Sequence, residues 1–195
     1  MRAWWLVVVD ALWDERRMTA SLVDEVLHRP RVPIETRSFP TSPGVYLLMM
    51  ESDLPLGSLY EPLAGCVWPV YVGVGRSSVR RRLGRHRGHL AEIPNLRRTR
   101  FRAVTLTMTT SASAAMAEAL LIEQFQPAWN LVLPGLTSSR QGANREEQRV
   151  SKHSVLHPGP HIGRGESKHS RRVLTGDVRR HLRHTVPRGG GWPTL

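Results

Sequence analysis

Glu118 stands where a carboxylate needs a reason. In AEALLIEQFQPAWN, residues 117–130, its helical neighbours three and four positions away are Ala114, Ala115, Leu121 and Ile122, so its charge leaves an apolar flank. Glu123, beside Ala119, Leu120, Gln126 and Pro127, lies nearer a polar edge. Other groups able to do chemistry precede Glu118 in a fixed order. Tyr46 and Tyr71 are two of only three tyrosines, and each sits in an apolar run of β character. Strand alternation puts Tyr71 and Gly73 on one face, opposite Val70 and Val72, and a glycine beside a tyrosine leaves room for a close approach. Arg82 and His86 are four apart in RRRLGRH and share a helix face. The set comprises a carboxylate that can hold a cation, phenols and an imidazole that can move protons, and a guanidinium that can grip an anion.

The charge says what that anion would be. The 195 residues carry a formal +12, concentrated in two blocks. Residues 76 to 102 hold ten arginines against Glu92 alone, and residues 140 to 195 hold twelve Lys/Arg against four Asp/Glu. Such blocks attract polyanions, of which nucleic acid is the commonest. Of the 28 basic residues 26 are arginine, which suits bidentate phosphate contacts. The single cysteine, Cys66, excludes an intramolecular disulfide and any structural zinc site built on several cysteines, and it points to a cytoplasmic protein. The opening MRAWWLVVVDALW is interrupted by Asp10 and too short to span a bilayer; it reads as a buried strand or the first turn of a core helix, with no membrane partner expected.

These groups need elements to hold them. The segment from Trp13 to Pro30 fits a helix through Met18, Leu22, Val26 and Leu27. Two strands are predicted at Gly44–Met50 and Trp68–Val74, joined by a long loop-like excursion from Glu51 to Val67. Ser77 or Ser78 caps a helix with the stripe Val79, Leu83, Leu90 and Ile93. Phe101–Met108 alternates as a half-exposed strand would, and Thr110 to Ser113 offer caps for the helix carrying Glu118, which Pro127 ends. The order helix, strand, strand, helix, strand, helix implies an α/β (α+β) domain with a small three-stranded mixed or antiparallel sheet flanked by helices. After Gly135 the chain is rich in Ser, Gly, Pro, His and Arg and is expected to be largely irregular, or ordered only on binding, apart from a short basic helix over Arg171–His184.

The series Gly44-Val45-Tyr46, Tyr71-Val72-Gly73, Arg82 with His86, Glu118 and Asn130 resembles the GIY-YIG nuclease superfamily. Valine replaces isoleucine in both tripeptides, RRRLGRH is similar to the family's arginine helix, and the Glu, Ile, Pro and Asn of the last helix stand at its spacing. Among Arg80, Arg81 and Arg82 the register is taken at Arg82, which precedes Leu83 and pairs with His86. The resemblance runs from about residue 42 to residue 133. It divides the chain into an N-terminal helical extension (1–41), a catalytic domain (42–135) and a basic, DNA-contacting or partly disordered extension (136–195). The excursion and the basic tail look like the type II restriction branch. SKHSVLHPGP, residues 151–160, is similar to a Leu-His-Pro-Gly signature of that branch, with His153, Ser154 and Pro160 where a Trp, an Asp and an Arg stand there.

The resemblance implies a metal-dependent, site-specific double-strand DNA endonuclease. Glu118 would ligate Mg²⁺ or Mn²⁺, Tyr46 would be the general base, and Arg82 would contact the phosphate. His86 would pass on a proton or position Tyr46, Tyr71 would orient water or phosphate, and Asn130 would support the helix end. Arg76, Arg80, Arg81 and Arg85 would hold DNA, and cutting both strands implies a homodimer. Alternative readings are an inactive nucleic-acid-binding protein of the same fold, or a repair or mobile-element nuclease.

Overall fold

The computed structural model describes residues 14–51, 57–136, 150–159 and 167–187. The N-terminal apolar run, part of the excursion and Pro160 of the tail signature lie outside the described residues. Helix α1, Glu15–His28, starts at Asp14, whose carboxylate accepts from the Arg17 amide at 3.2 Å, and it buries Thr19, Val23 and Val26.

Four strands form one sheet: β1 (Val32–Pro33), β2 (Gly44–Met50), β3 (Tyr71–Gly75) and β4 (Phe101–Thr107), in the order β1-β4-β2-β3 with every pair antiparallel. The sequence predicts three. The additional strand has two residues, too few to show a period of two, and its Pro33 lies on the sheet edge, where a missing N–H is tolerated. β2 runs through the middle and all seven of its residues are buried. β3 begins at Tyr71 rather than Trp68, because Trp68 turns aside to donate its indole N–H to the Phe125 carbonyl at 2.7 Å. β4, predicted to be half-exposed, lies between β1 and β2 and buries Phe101, Ala103, Val104 and Leu106. Its Arg102 forms an ion pair with Glu51.

Helix α2, Val79–Ala91, is capped by Ser78, which accepts from the Arg81 amide at 3.2 Å. The predicted stripe Val79, Leu83, Leu90 and Ile93 is buried, and His86 is buried with it. Helix α3, Ser111–Phe125, opens with a reciprocal capping box between Thr110 and Ser113. It closes with Gln126 in the left-handed region (φ 48°), after which Pro127 leads into the short helix α4, Ala128–Leu131. α3 lies against β2, β3 and α1.

Among the described C-terminal residues stand the helix that the sequence predicts over Arg171–His184 and a second, shorter one. Helices α5 (Lys152–Leu156) and α6 (Arg171–Thr185) are both described, and they touch each other. α6 buries Leu174, Val178 and Leu182 at a spacing of four, an apolar stripe that a compositional reading dilutes among arginines. The excursion also contributes to the core through Tyr60 and Leu63, around a 3₁₀ turn at Glu61–Leu63. No helix among the described residues is long and apolar enough to cross a membrane.

Candidate active site

Tyr46, Leu48 and Met50 point to one face of the sheet and Val45, Leu47 and Met49 to the other. Register pairs Tyr46 with Gly73 and Leu48 with Tyr71, so both tyrosines and Gly73 share one face. A Cβ at Gly73 would lie 2.6 Å from Tyr46 Cζ, 2.7 Å from Tyr71 Cε1 and closer still to the Tyr46 hydroxyl. The room left by that glycine is therefore taken by the protein's own phenol. Gly75 works likewise at the end of β3, where a Cβ would lie 2.7 Å from the backbone of Val79 at the start of α2.

That close approach brings α2 onto the tyrosines. Tyr46 Oη and His86 Nε2 are 2.5 Å apart, both side chains are fully buried, and the His86 ring lies 5.4 Å from that of Tyr46 and 5.3 Å from that of Tyr71. Arg82, one turn earlier, donates hydrogen bonds to the phenol oxygens of both tyrosines. With its oxygen accepting from Arg82, Tyr46 directs its own proton to His86 Nε2, and we assign that tautomer. Burial holds both partners neutral. It raises the Tyr46 phenol well above its ordinary range, with the Tyr71 phenol adding to the shift and Arg82 opposing it. It lowers His86 to about 3, with the Arg82 and His89 charges adding to the effect.

Glu118 is half-buried at the outer edge of β3. Burial raises its carboxyl above the usual range, against the pull of Arg76, a hydrogen bond from the Val74 amide and the charge of Arg82. That amide belongs to a row. β3 is an edge strand, and its outward backbone groups are met one after another. The Trp129 amide donates to the Val70 carbonyl at 3.0 Å. Asn130 accepts from the Val72 amide at 2.9 Å and donates to the Val72 carbonyl at 2.8 Å, and Glu118 then receives the Val74 amide. Asn130 thus stands in for a neighbouring strand. The structure brings Tyr46, Tyr71, Arg82, His86 and Glu118 together and places Asn130 behind them as a splint on β3.

Of the arginines expected to hold DNA, Arg76, Arg80, Arg81 and Arg85 are all exposed around the junction of β3 and α2. Arg80 Nε is turned back to the Phe39 carbonyl at 2.8 Å and Arg81 reaches Ser77 Oγ at 2.8 Å. Among the described residues no three His, Cys, Asp or Glu side chains cluster as a metal cage would require. The one carboxylate beside the tyrosines, Glu118, is a donor that could hold a hard cation keeping most of its waters.

A second polar cluster escaped sequence reasoning. Trp129 Nε1 donates to Tyr60 Oη at 2.8 Å, Tyr60 donates to His157 Nε2 at 2.6 Å, and His157 Nδ1 donates to Asn95 Oδ1 at 3.2 Å. Asn95 in turn donates to the Leu156 carbonyl at 2.8 Å. His153, one turn before His157, is fully buried against the Trp129 ring at 4.8 Å, and neither of its ring nitrogens has a hydrogen-bond partner. The i,i+4 histidines were the visible signal. Their distant partners, Tyr60, Asn95 and Trp129, were not.

A search of curated proteins finds no match. A family model described as the Eco29kI GIY-YIG domain matches residues 74–182. The match takes in Arg82, His86, Glu118, Asn130, the buried histidines and nearly all of α6, and it begins just after the Tyr71-Val72-Gly73 tripeptide. With a mixed α/β fold built on an antiparallel sheet and the tyrosines packed beside the arginine helix, this match over more than half of the sequence shows that the chain belongs to the Eco29kI GIY-YIG restriction-endonuclease domain family.

Proposed function

We propose that the chain is a divalent-metal-dependent, site-specific double-strand DNA endonuclease of the type II restriction kind. The observation that carries this reading is the convergence of Tyr46, Tyr71, Arg82, His86 and Glu118 beside β3, with Arg82 and His86 both on the Tyr46 hydroxyl. Phosphodiester hydrolysis needs an activated water, charge stabilisation at phosphorus and a neutralised leaving oxygen. A water held against Tyr46 Oη would give its proton to that oxygen while the Tyr46 proton passes to His86 Nε2. Such a relay needs no free phenolate, which suits a phenol that burial keeps neutral. Arg82 would meet the non-bridging oxygens, and Tyr71 would orient water or phosphate.

The donor set at Glu118 fits a hard divalent cation, Mg²⁺ or Mn²⁺: one half-buried carboxylate, with waters and phosphate oxygens to complete the shell. Such an ion supplies positive charge to the phosphate and the leaving oxygen when bound. Asn130 would hold the β3 edge without touching substrate. Exposed Arg76 and Arg85, with Arg80 and Arg81, would track the DNA backbone. One site per chain and two strands to cut favour a homodimer acting on cytoplasmic DNA. Residues 1–41 would serve as a helical extension, 42–135 as the catalytic domain and 136–195 as a basic extension. One observation favours a second reading, a protein that binds nucleic acid without cutting it: burial keeps both Tyr46 and His86 neutral.

Incubation with several plasmids and Mg²⁺, beside Glu118→Ala, separates the two. Discrete fragments that disappear with Glu118→Ala are the expected result. Binding without cutting on large and varied DNA would remove the restriction reading.

A further inference from the structure

Helix α6 has two distinct sides. Leu174, Val178 and Leu182 are buried against the rest of the molecule, and His181 Nε2 donates to the Gln126 carbonyl at 2.6 Å, so the helix is fixed to the domain. Its outer side reads Arg172, Gly176, Arg179 and Arg183, at spacings of four, three and four, and all four residues are exposed. At 3.6 residues per turn the three arginines fall within about 40° of one another around the helix axis and about 120° from the middle of the buried stripe. They span about 16 Å along the axis.

That stripe carries positive charge with no counter-ion. The side chains of Arg172, Arg179 and Arg183 form no ion pair or hydrogen bond among the described residues. The one acid of the helix, Asp177, is half-buried at the flank and pairs with Arg180 at 3.4 Å. Arg172 also stands in the first turn, which holds no acid and whose Ser170 cap makes no side-chain hydrogen bond. A cation in that place opposes the helix dipole, and an arriving anion relieves both that conflict and the repulsion among the arginines.

Gly176 points the same way. A glycine in an exposed helix interior weakens the helix relative to alanine. A Cβ at Gly176 would meet nothing within 4 Å, so packing inside the chain does not call for its absence. What the missing side chain does provide is a notch in the arginine stripe, with arginines on the turns before and after it.

We propose that this face of α6 docks on the phosphate backbone of duplex DNA, with Gly176 at the closest approach and Arg172, Arg179 and Arg183 pairing with phosphates around it. A duplex presents one negative charge per about 1.7 Å of its axis, which complements a row of arginines along a helix. Such contacts position the protein on the duplex and take no part in the chemistry at Glu118. The choice of DNA as the polyanion rests on the function proposed above, whereas the anion chemistry rests on the stripe.

The test uses the full chain in EDTA, so that binding is read without cutting. A labelled mixed-sequence duplex is titrated over a salt series against the wild type, the Arg172→Gln/Arg179→Gln/Arg183→Gln variant, Gly176→Gln, and a charge-matched control at the two ends of α1, Arg16→Gln/Arg17→Gln/Arg29→Gln. The stripe variant is expected to reduce the slope of log Kd against log salt by about 2.7, three phosphates at about 0.9 each, and to weaken binding about a hundredfold at moderate salt. Gly176→Gln extends into open space in the free protein, so its melting temperature should equal or exceed that of the wild type while its binding weakens several-fold.

A wild-type slope in the stripe variant, or wild-type affinity in Gly176→Gln, overturns the proposal. An equal fall in the α1 control shows an effect of net charge alone and overturns it too. Plasmid incubation with Mg²⁺ is run in parallel. Stripe-dependent binding by a wild type that never cuts sustains the docking face and removes the nuclease reading, whereas cutting with unchanged binding in the stripe variant does the reverse.

Discussion

At the scale of single residues, the site is a set of groups kept in costly states by their neighbours. Tyr46→Phe removes the proposed base and also leaves His86 Nε2 buried without its partner. Cleavage is expected to fall by about 10²–10⁴-fold, the usual contribution of a positioned acid or base, and stability by about 1–3 kcal/mol for the orphaned nitrogen. Single-turnover cleavage and urea melts read the two separately. Glu118 titrates higher than an ordinary glutamate because burial outweighs Arg76 and the Val74 amide. In the proposed role it must be ionised to hold a cation, so at sub-saturating Mg²⁺ activity is expected to be lost as pH falls through this raised pKa. The acid limb of cleavage at sub-saturating Mg²⁺ should therefore lie above the pH range of a solvated glutamate and move down as Mg²⁺ is raised, and a flat profile at low Mg²⁺ would detach Glu118 from the metal. Gly73→Ala forces a methyl into the Tyr46 and Tyr71 rings. Overpacking of this kind costs about 1–3 kcal/mol, and here it would also push Tyr46 away from His86.

At the scale of elements, edges and helix ends decide the geometry. β3 has no strand on its outer side, yet Trp129, Asn130 and Glu118 satisfy its backbone in succession. Asn130→Ala removes one acceptor and one donor from Val72. A loss of about 1–3 kcal/mol is expected, with faster hydrogen exchange at the Val72 amide, and slow exchange there would mean that another group supports the edge. α6 closes the other end of α3. His181 Nε2 donates to the Gln126 carbonyl at 2.6 Å, just where that residue takes up its left-handed turn. The basic helix that the sequence predicts over Arg171–His184 is therefore tied to the helix bearing Glu118.

For the whole molecule, buried histidines set the response to pH. His86 and His157 are lowered to about 3 and His153 well below its usual value, in each case first by burial. In the unfolded chain each takes up a proton near pH 6.5, so the native state binds fewer protons below that point. Stability is fully present above about pH 6.5 and is lost as pH falls toward 3, at up to about 1.4 kcal/mol per pH unit for each histidine. Urea melts across this range should show that slope, and His157→Gln should flatten it by about one histidine's share. A stability that is level between pH 6.5 and pH 4 would show that these rings are hydrated or already charged in the folded state.

The elements and the site order were legible in the sequence because they depend on local rules. Apolar runs bounded by turn residues marked β2 and most of β3, candidate caps at Ser77 or Ser78 and at Thr110 to Ser113 marked two helix starts, and the series from Tyr46 to Asn130 carried the family resemblance. The two-residue β1 was not legible, since it exists only through pairing with β4. Nor was the burial of β4, which follows from its place between two strands. What fills the space beside Gly73 and which atoms meet the free edge of β3 were decided by tertiary structure alone. Each depends on residues tens of positions apart being brought within a few ångströms, and no local pattern encodes such a distance.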